Sequence, residues 1–523
     1  MTRTGTSPAA GRTVSASHGA LPLPFLRRAL AGLTLAAALA YGSAALAEDY
    51  DMVVANGRVI DPDSGLDAVR DLGIRDGRIA AVSKKRLRGR DRIDATGKVV
   101  APGFIDLHSH AQNPVAALFQ ARDGVTTALE LELGVFPVAP WYAAREGASP
   151  INYGTTVSQT YARAGAVLGA DLFDKADDPI AAGLVAPQDA GRAMEVRLSE
   201  AQLADADRLM TRGLDEGALG IGMGIQYIGG SSREEVLRGF RLAAWQGVTV
   251  FAHQRSAGQV EPDSLAGLQE LIADAASTGA GVHVAHVNST GLGQAGLLLD
   301  MIDGARAHGV DVTTEAYPFN GAMAVAGSPL LRPGWQDRYG IGYGDLLDIS
   351  TGRRMTKESF EAARRDRPET RLVVFVMSDD TLDRSISHPG VMIASDAVDL
   401  ENGEGHPRTA GTFSRVLGHY VRERGLISLP DAIARMTILP ARRLEASVPA
   451  MARKGRLSVG ADADITVFDP ATVAERATYA EPAQASRGIF AVLVEGTPVV
   501  RDGVPIEGAM PGRPVRRPLA AAR

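Results

Sequence analysis

Side chains able to bind a metal recur in this sequence at one kind of place, the end of an apolar run. Ala101-Pro-Gly-Phe-Ile-Asp-Leu ends in His108-Ser-His110. Residues i and i+2 of a strand share a face, so both imidazoles can aim at one point beyond the strand end. Ala128-Leu-Glu-Leu-Glu132 closes a second run with two same-face carboxylates, Glu130 and Glu132. Val248-Thr-Val-Phe-Ala-His253, Val282-His-Val-Ala-His286 and Val391-Met-Ile-Ala-Ser-Asp396 close three more. Neutral imidazole is the commonest ligand of a divalent transition metal, and carboxylates complete such sites. A lone His in an apolar strand is ordinary core chemistry. Histidines and acids at the ends of several strands point instead to a metal centre. Such a metal lowers the pKa of bound water from about 15.7 to about 7, which is hydrolytic chemistry.

For these groups to meet, their strands must lie side by side with their ends together. Strand-like runs alternate with helical ones through the middle of the chain, the pattern of a parallel sheet with outer helices. The strands are read at Val99–Leu107, Thr126–Leu133, Ile151–Val157, Leu219–Met223, Val248–Ala252, Val282–Ala285, Val310–Glu315 and Val391–Ala394. Helices are expected at Ser199–Glu216, Ser232–Gln246, Leu268–Thr278 and Thr412–Arg424. Eight strands predict an α/β fold, a (β/α)8 TIM-like barrel, in which chemistry sits at the C-terminal strand ends. The barrel spans residues 101–454, with a Gly- and Pro-rich insert at 317–390 that is longer than a plain connection. At both ends of the chain the texture changes to short strands with Asn56-Gly57, Asp76-Gly77, Glu495-Gly496 and Asp502-Gly503 turns. Residues 48–100 and 455–510 are therefore expected to form one small β-sandwich domain in two halves. The Pro- and Arg-rich tail 511–523 is expected to be flexible.

Composition fits an enzyme of this size. Of 523 residues, 45% are hydrophobic and 22% charged, which excludes a disordered chain. A formal charge of −6 gives no reason to expect nucleic acid or an anionic membrane as a partner. There are no cysteines, so a metal must sit on His, Asp or Glu. Arg27-Arg28, an apolar stretch from Ala29 to about Ala40, and Ala45-Leu46-Ala47 resemble a signal peptide over residues 1–47. Cleavage after Ala47 would place the mature protein in the periplasm or outside the cell, with no membrane contact beyond export. The remaining histidines are expected elsewhere: His283 alternates away from His286 as a packed or orienting group, and His308, His388 and His419 lie on helices or in the insert. Arg408, one loop after Asp396, is within reach of the site.

The resemblance carried by these residues is to the amidohydrolase superfamily, and within it to the N-acyl-D-amino-acid deacylase (D-aminoacylase) group. It runs from about Asp51 to Val473. Its marks are Pro102–His110, Gly124-Val-Thr-Thr127, Gly217-Ala-Leu-Gly-Ile-Gly222 with Tyr227, His253-Gln-Arg255, His388–Asp396 and His406-Pro-Arg-Thr-Ala-Gly-Thr-Phe-Ser-Arg-Val-Leu-Gly418. The resemblance implies that His253 and His286 hold a zinc ion tightly and that His108 and His110 serve a weaker second position, so one or two ions bind. It makes Asp396 the catalytic acid/base and Arg408 a contact to the carboxylate of a small-molecule substrate, with Tyr227 beside the site. Two departures stand out. The group's cysteine ligand after the second strand is missing, and Glu132, or alternatively Glu130, takes its place. The group's His-x-Lys reads His286-Val-Asn288 here, so Asn288 replaces a cation and Arg255 joins Arg408 as a candidate to compensate. A carboxylated lysine on the fourth strand is excluded by position, because Lys175 is the only lysine between Ile151 and His253. The expected reaction is hydrolysis of a linear amide. The other readings are a cyclic-amide hydrolase or dipeptidase of the same superfamily, or a non-catalytic exported binding protein.

Overall fold

The apolar pattern predicts one strand from Val99 to Leu107, and the chain makes two. In the computed structural model, which describes residues 50–172, 187–400 and 402–519, Val99–Pro102 belongs to a sheet built from the chain ends. Phe104–Asp106 opens the barrel. The break falls at Pro102-Gly103, where Pro removes a ladder donor. A Cβ on Gly103 would stand 2.1 Å from Thr126 Oγ1, so only glycine lets the chain pass between the two sheets. The segment read as a signal peptide, and Lys175, lie outside the described residues.

Barrel strands β1 (Phe104–Asp106), β2 (Val125–Val135), β3 (Asn152–Ser158), β4 (Gly220–Gly224), β5 (Thr249–His253), β6 (Gly281–Val284), β7 (Val312–Ala316) and β8 (Val391–Ile393) pair in parallel in chain order. Every residue of β3, β4 and β5 is buried, as in a sheet covered on both faces. β1 and β8 share no ladder. Ser109 bridges to Ala397, His110 N–H donates to Ala397 O (2.9 Å), and the Asp106 carboxylate accepts Ser395 N–H (3.0 Å). Barrel closure and site assembly are thus the same contacts.

The outer helices are set by local chemistry. Ser199, Ser232 and Asp263 cap Glu200–Asp215, Arg233–Gln246 and Ser264–Thr278 with side-chain oxygens. Gly247 and Gly279 end the last two in the left-handed region. The helix expected at Thr412–Arg424 begins earlier, at Arg408, and turns π-helical over Val416–Glu423.

Strands from both chain ends hydrogen-bond into one nine-stranded sheet. It encloses its own apolar cluster of Met52, Val54, Leu72, Ile465, Ala491 and Leu493. The insert after β7 carries a four-stranded antiparallel sheet of Gly321–Val325, Arg371–Phe375, Leu346–Asp348 and Arg353–Arg354. The tail expected to be flexible is docked through its described part. Gly512 N–H donates to Ser149 O, Val515 N–H donates to Tyr153 O, and Val515 is buried. Its composition looked loose because backbone pairing, not side-chain pattern, holds it. Among the described residues no helix is long and apolar enough to cross a membrane.

Candidate active site

Glu132 stands at the centre of four imidazoles. Its Oε1 lies 2.8 Å from His253 Nδ1 and 2.8 Å from His286 Nε2. Its Oε2 lies 3.3 Å from His108 Nε2 and 3.3 Å from His110 Nε2. Asp396 Oδ1 is 3.5 Å from each of these last two nitrogens. The residues read from the strand ends therefore meet, apart from Glu130, which stands one step out. It accepts from His110 Nδ1 at 2.7 Å and from the Leu133 and Gly134 amides at 3.3 Å.

Local backbone irregularity aims these groups. β2 loses its register with β3 between Glu130 and Val135. The hydroxyls of Thr155 and Thr156 take up the Glu130 and Leu131 carbonyls (3.1 and 2.8 Å). A bulge of this kind turns a side chain out of strict alternation, so Glu132 points inward while Glu130 serves His110. His286 and Asp396 both have left-handed backbones, with φ of 29° and 51°. Such strain, costing on the order of 1–3 kcal/mol in an L residue, gathers at functional sites.

The outer partners fix the ring nitrogens. Glu315, at the end of β7, lies 2.5 Å from His108 Nδ1 and 3.1 Å from His283 Nε2. Gln226 Oε1 accepts from His253 Nε2 at 2.7 Å. With Nδ1–H of His108 and His110 given to carboxylates and Nε2–H of His253 given to Gln226, the other three nitrogens turn lone pairs toward Glu132. His108 Nε2 and His110 Nε2 are only 3.1 Å apart. Acceptors facing acceptors at these distances need a cation among them, and buried charges persist only when paired or ligating metal. The electrostatics agree. Burial opposes charge on both rings, yet Glu130 raises His110 to about 10, and Glu132, Asp396 and Glu315 raise His108 well above the usual imidazole range. Burial would raise Glu315, but His108 and His283 hold it far below the usual carboxylate range. A field that binds protons this firmly also favours a divalent ion, which competes for the same lone pairs. Two ligand groups fit one: His108, His110 and Asp396, and His108, Glu132 and His286.

The sequence did not single out Glu315 or Gln226. Glu315 had a usable signal, since it ends a strand as the histidines do; Gln226 sits in a short turn with no pattern of its own. The expected substrate contacts divide. Arg408 reaches the site: it is buried, its Nη1 forms an ion pair with Asp396 Oδ2 at 2.8 Å, and its Nε has no hydrogen-bond partner. Tyr227 packs against His253 with ring centroids 4.8 Å apart. Burial, with Glu132 and Asp396 nearby, raises its phenol well above 10 and keeps the proton on. Arg255 is turned elsewhere: all three guanidinium nitrogens are engaged, Nε and Nη2 by Glu270 (2.7 and 2.8 Å) and Nη1 by Ser231 O (2.6 Å). Asn288 is fully buried and donates to Tyr317 O at 2.9 Å. His283 orients Glu315 from outside the cluster, while His308 and His419 hydrogen-bond within their own helices.

Comparison with known proteins gives the family. The model of the amidohydrolase family matches residues 91–500. The N-acyl-D-glutamate deacylase of Alcaligenes xylosoxydans xylosoxydans is 33% identical over 517 residues, covering 91% of this chain and 98% of that protein. The D-aminoacylase of the same organism is 30% identical, covering 90% and 99%. The crystal structure of N-acyl-D-glutamate deacylase from Bordetella bronchiseptica, complexed with zinc and a phosphonate mimic of the tetrahedral intermediate, superposes with a TM-score of 0.74 at 29% identity, covering 90% of this chain and all of that one. With these matches over nearly its whole length, the chain belongs to the amidohydrolase family.

Proposed function

We propose that the protein is a zinc-dependent deacylase of N-acyl amino acids, N-acyl-D-amino acids being the first substrates to test. The observation that carries this reading is the buried Arg408 joined to Asp396 at the rim of the four-imidazole cluster. A guanidinium there can hold the carboxylate of an amino acid while the adjacent acid serves its amide nitrogen. The relatives that share the barrel act on N-acyl-D-glutamate or are D-aminoacylases, and the deacylase of solved structure binds zinc.

His253, His286 and Glu132 would hold one ion, and His108, His110 and Asp396 a second. A bound divalent ion supplies Lewis acidity, acidifying water and polarising the amide carbonyl. The chain supplies the rest. Asp396 takes the proton of the attacking water and delivers it to the leaving nitrogen, the poor leaving group of an amide. Arg408 keeps that carboxylate placed and offers Nε to the substrate. Tyr227, held protonated, can donate a hydrogen bond to the developing oxyanion. Glu315, Glu130 and Gln226 hold the rings in orientation.

The test is a panel of N-acetyl-D- and L-amino acids, dipeptides and hydantoins with zinc-loaded enzyme. Release of free D-amino acid, lost on chelation and restored by zinc, is expected. Full activity after thorough chelation, or turnover of hydantoins alone, would sink the proposal.

A further inference from the structure

The cluster stands between two cavities of unequal size. The smaller, about 60 Å³, lies against the insert and is walled by Asp396, His286, Tyr317, Leu331 and Val374. The larger, about 710 Å³, opens from His110 and Glu130 along β2 and β3. Its walls include Leu133, Val135, Trp141, Ile151, Tyr153 and Tyr161. Tyr227 lines both.

The chemistry of the site assigns one half of the substrate to each. Asp396 must reach the leaving nitrogen, and it lines the smaller cavity and not the larger. Arg408, paired with Asp396, draws the amino-acid carboxylate the same way. An amide carries its two substituents at opposite ends, so the acyl half leaves the reaction centre past His110 into the larger chamber. Three amide side chains of that chamber are engaged within the protein. Gln120 donates to Ser109 Oγ (2.7 Å), Asn113 to Asp399 Oδ1 (2.6 Å) and Asn152 to Asp464 Oδ2 (2.9 Å). Most of the surface left for a ligand is aliphatic and aromatic, in a volume far above what an acetyl group fills.

We propose that the larger chamber is the acyl pocket and that it makes the enzyme selective for long apolar acyl groups, a medium- or long-chain alkanoyl amide rather than an acetyl amide. This rests on the deacylase reading above. Binding energy gained on such a remote chain is available to the transition state and shows in kcat/KM.

The test compares N-acetyl-, N-hexanoyl- and N-decanoyl-D-alanine with the zinc-loaded full chain. Each methylene moved from water into the chamber contributes a factor of up to about 4. A rise in kcat/KM of at least about tenfold from acetyl to decanoyl is expected. Ala117→Phe, at another wall position, should cut the decanoyl-to-acetyl ratio several-fold. Should that variant fail to fold, calorimetric binding of decanoate against acetate by the wild-type enzyme carries the same comparison, decanoate binding at least about tenfold tighter. Turnover that stays flat or falls with chain length, with N-acetyl-D-alanine still cleaved, would overturn this inference and leave the deacylase reading standing. No hydrolysis of any member would remove both.

Discussion

Glu132 and Glu130 are two residues apart and chemically alike, yet the structure gives them different work. Glu132 touches four imidazoles, whereas Glu130 touches one ring from its far side. Metal quantification should therefore separate them. Glu132→Ala is expected to be purified with little or no zinc. Glu130→Ala should retain zinc while losing about 10- to 100-fold in activity, the usual cost of freeing a ligand's outer partner. Equal zinc in the two variants would contradict the central place of Glu132. Asp396→Asn tests a different step. It keeps an oxygen near His108 and His110 but cannot hold the transferred proton, so turnover should fall by on the order of 10²–10⁴ with zinc at the tight position unchanged. Near-wild-type turnover would rule out the acid/base role.

At the scale of elements, site precision depends on how closely strands approach behind it. An added Cβ on Gly222 of β4 would stand 2.8 Å from the carbonyl oxygens of Leu131 and Glu132 and 2.6 Å from Thr156 Oγ1. Gly222→Ala should therefore push β2 outward, cost about 1–3 kcal/mol of stability and lower zinc affinity without touching a ligand; unchanged urea unfolding and zinc titration would refute the close approach. Much of this scale was legible beforehand, for stated reasons. Period-two alternation found His108 with His110, and apolar runs found eight strands whose order needed no further information. What alternation could not show is where it fails: the bulge after Glu130 that separates two identical residues, and the Gly103 break that divides one apolar run between two sheets. Nor does sequence say which way a loop or helix residue faces. Arg255 and Arg408 looked alike as candidates to replace the cation missing at Asn288, and only packing shows Arg255 held by Glu270 and Asn288 by Tyr317.

For the whole molecule, the decisive contacts are those that join segments far apart in the chain, and several are buried acids. Asp123 is one. Its carboxylate accepts the backbone N–H groups of Phe413 (2.7 Å) and Ser414 (3.0 Å) and the hydroxyl of Ser486 (2.7 Å). It thereby ties the turn before β2 to the helix that begins at Arg408, and to the segment leading into the end sheet. Burial is the largest influence on it and raises its pKa to about 7, the hydrogen bonds opposing. In the unfolded chain an aspartate titrates near 3.9. Because the folded value is the higher one, the native state binds the proton more tightly. The associated stability is fully present below about pH 4, declines as the unfolded chain ionises first, and is gone once pH passes about 7. A separation of about three pKa units corresponds to about 4 kcal/mol across that window. Other acids act oppositely, Glu315 above all, whose depressed pKa makes acid destabilising. A bare stability curve would mix the two, so the comparison must be differential. Urea unfolding of wild type and Asp123→Asn from pH 4 to 8 isolates the site, since the Asn variant keeps every other titration. Asn meets the two backbone donors poorly and should be less stable than wild type at pH 4. The gap should then narrow by up to about 4 kcal/mol by pH 7, and stay constant beyond. A gap that widens with pH would mean that the three donors outweigh burial and that Asp123 is an ordinary buried carboxylate, charged throughout.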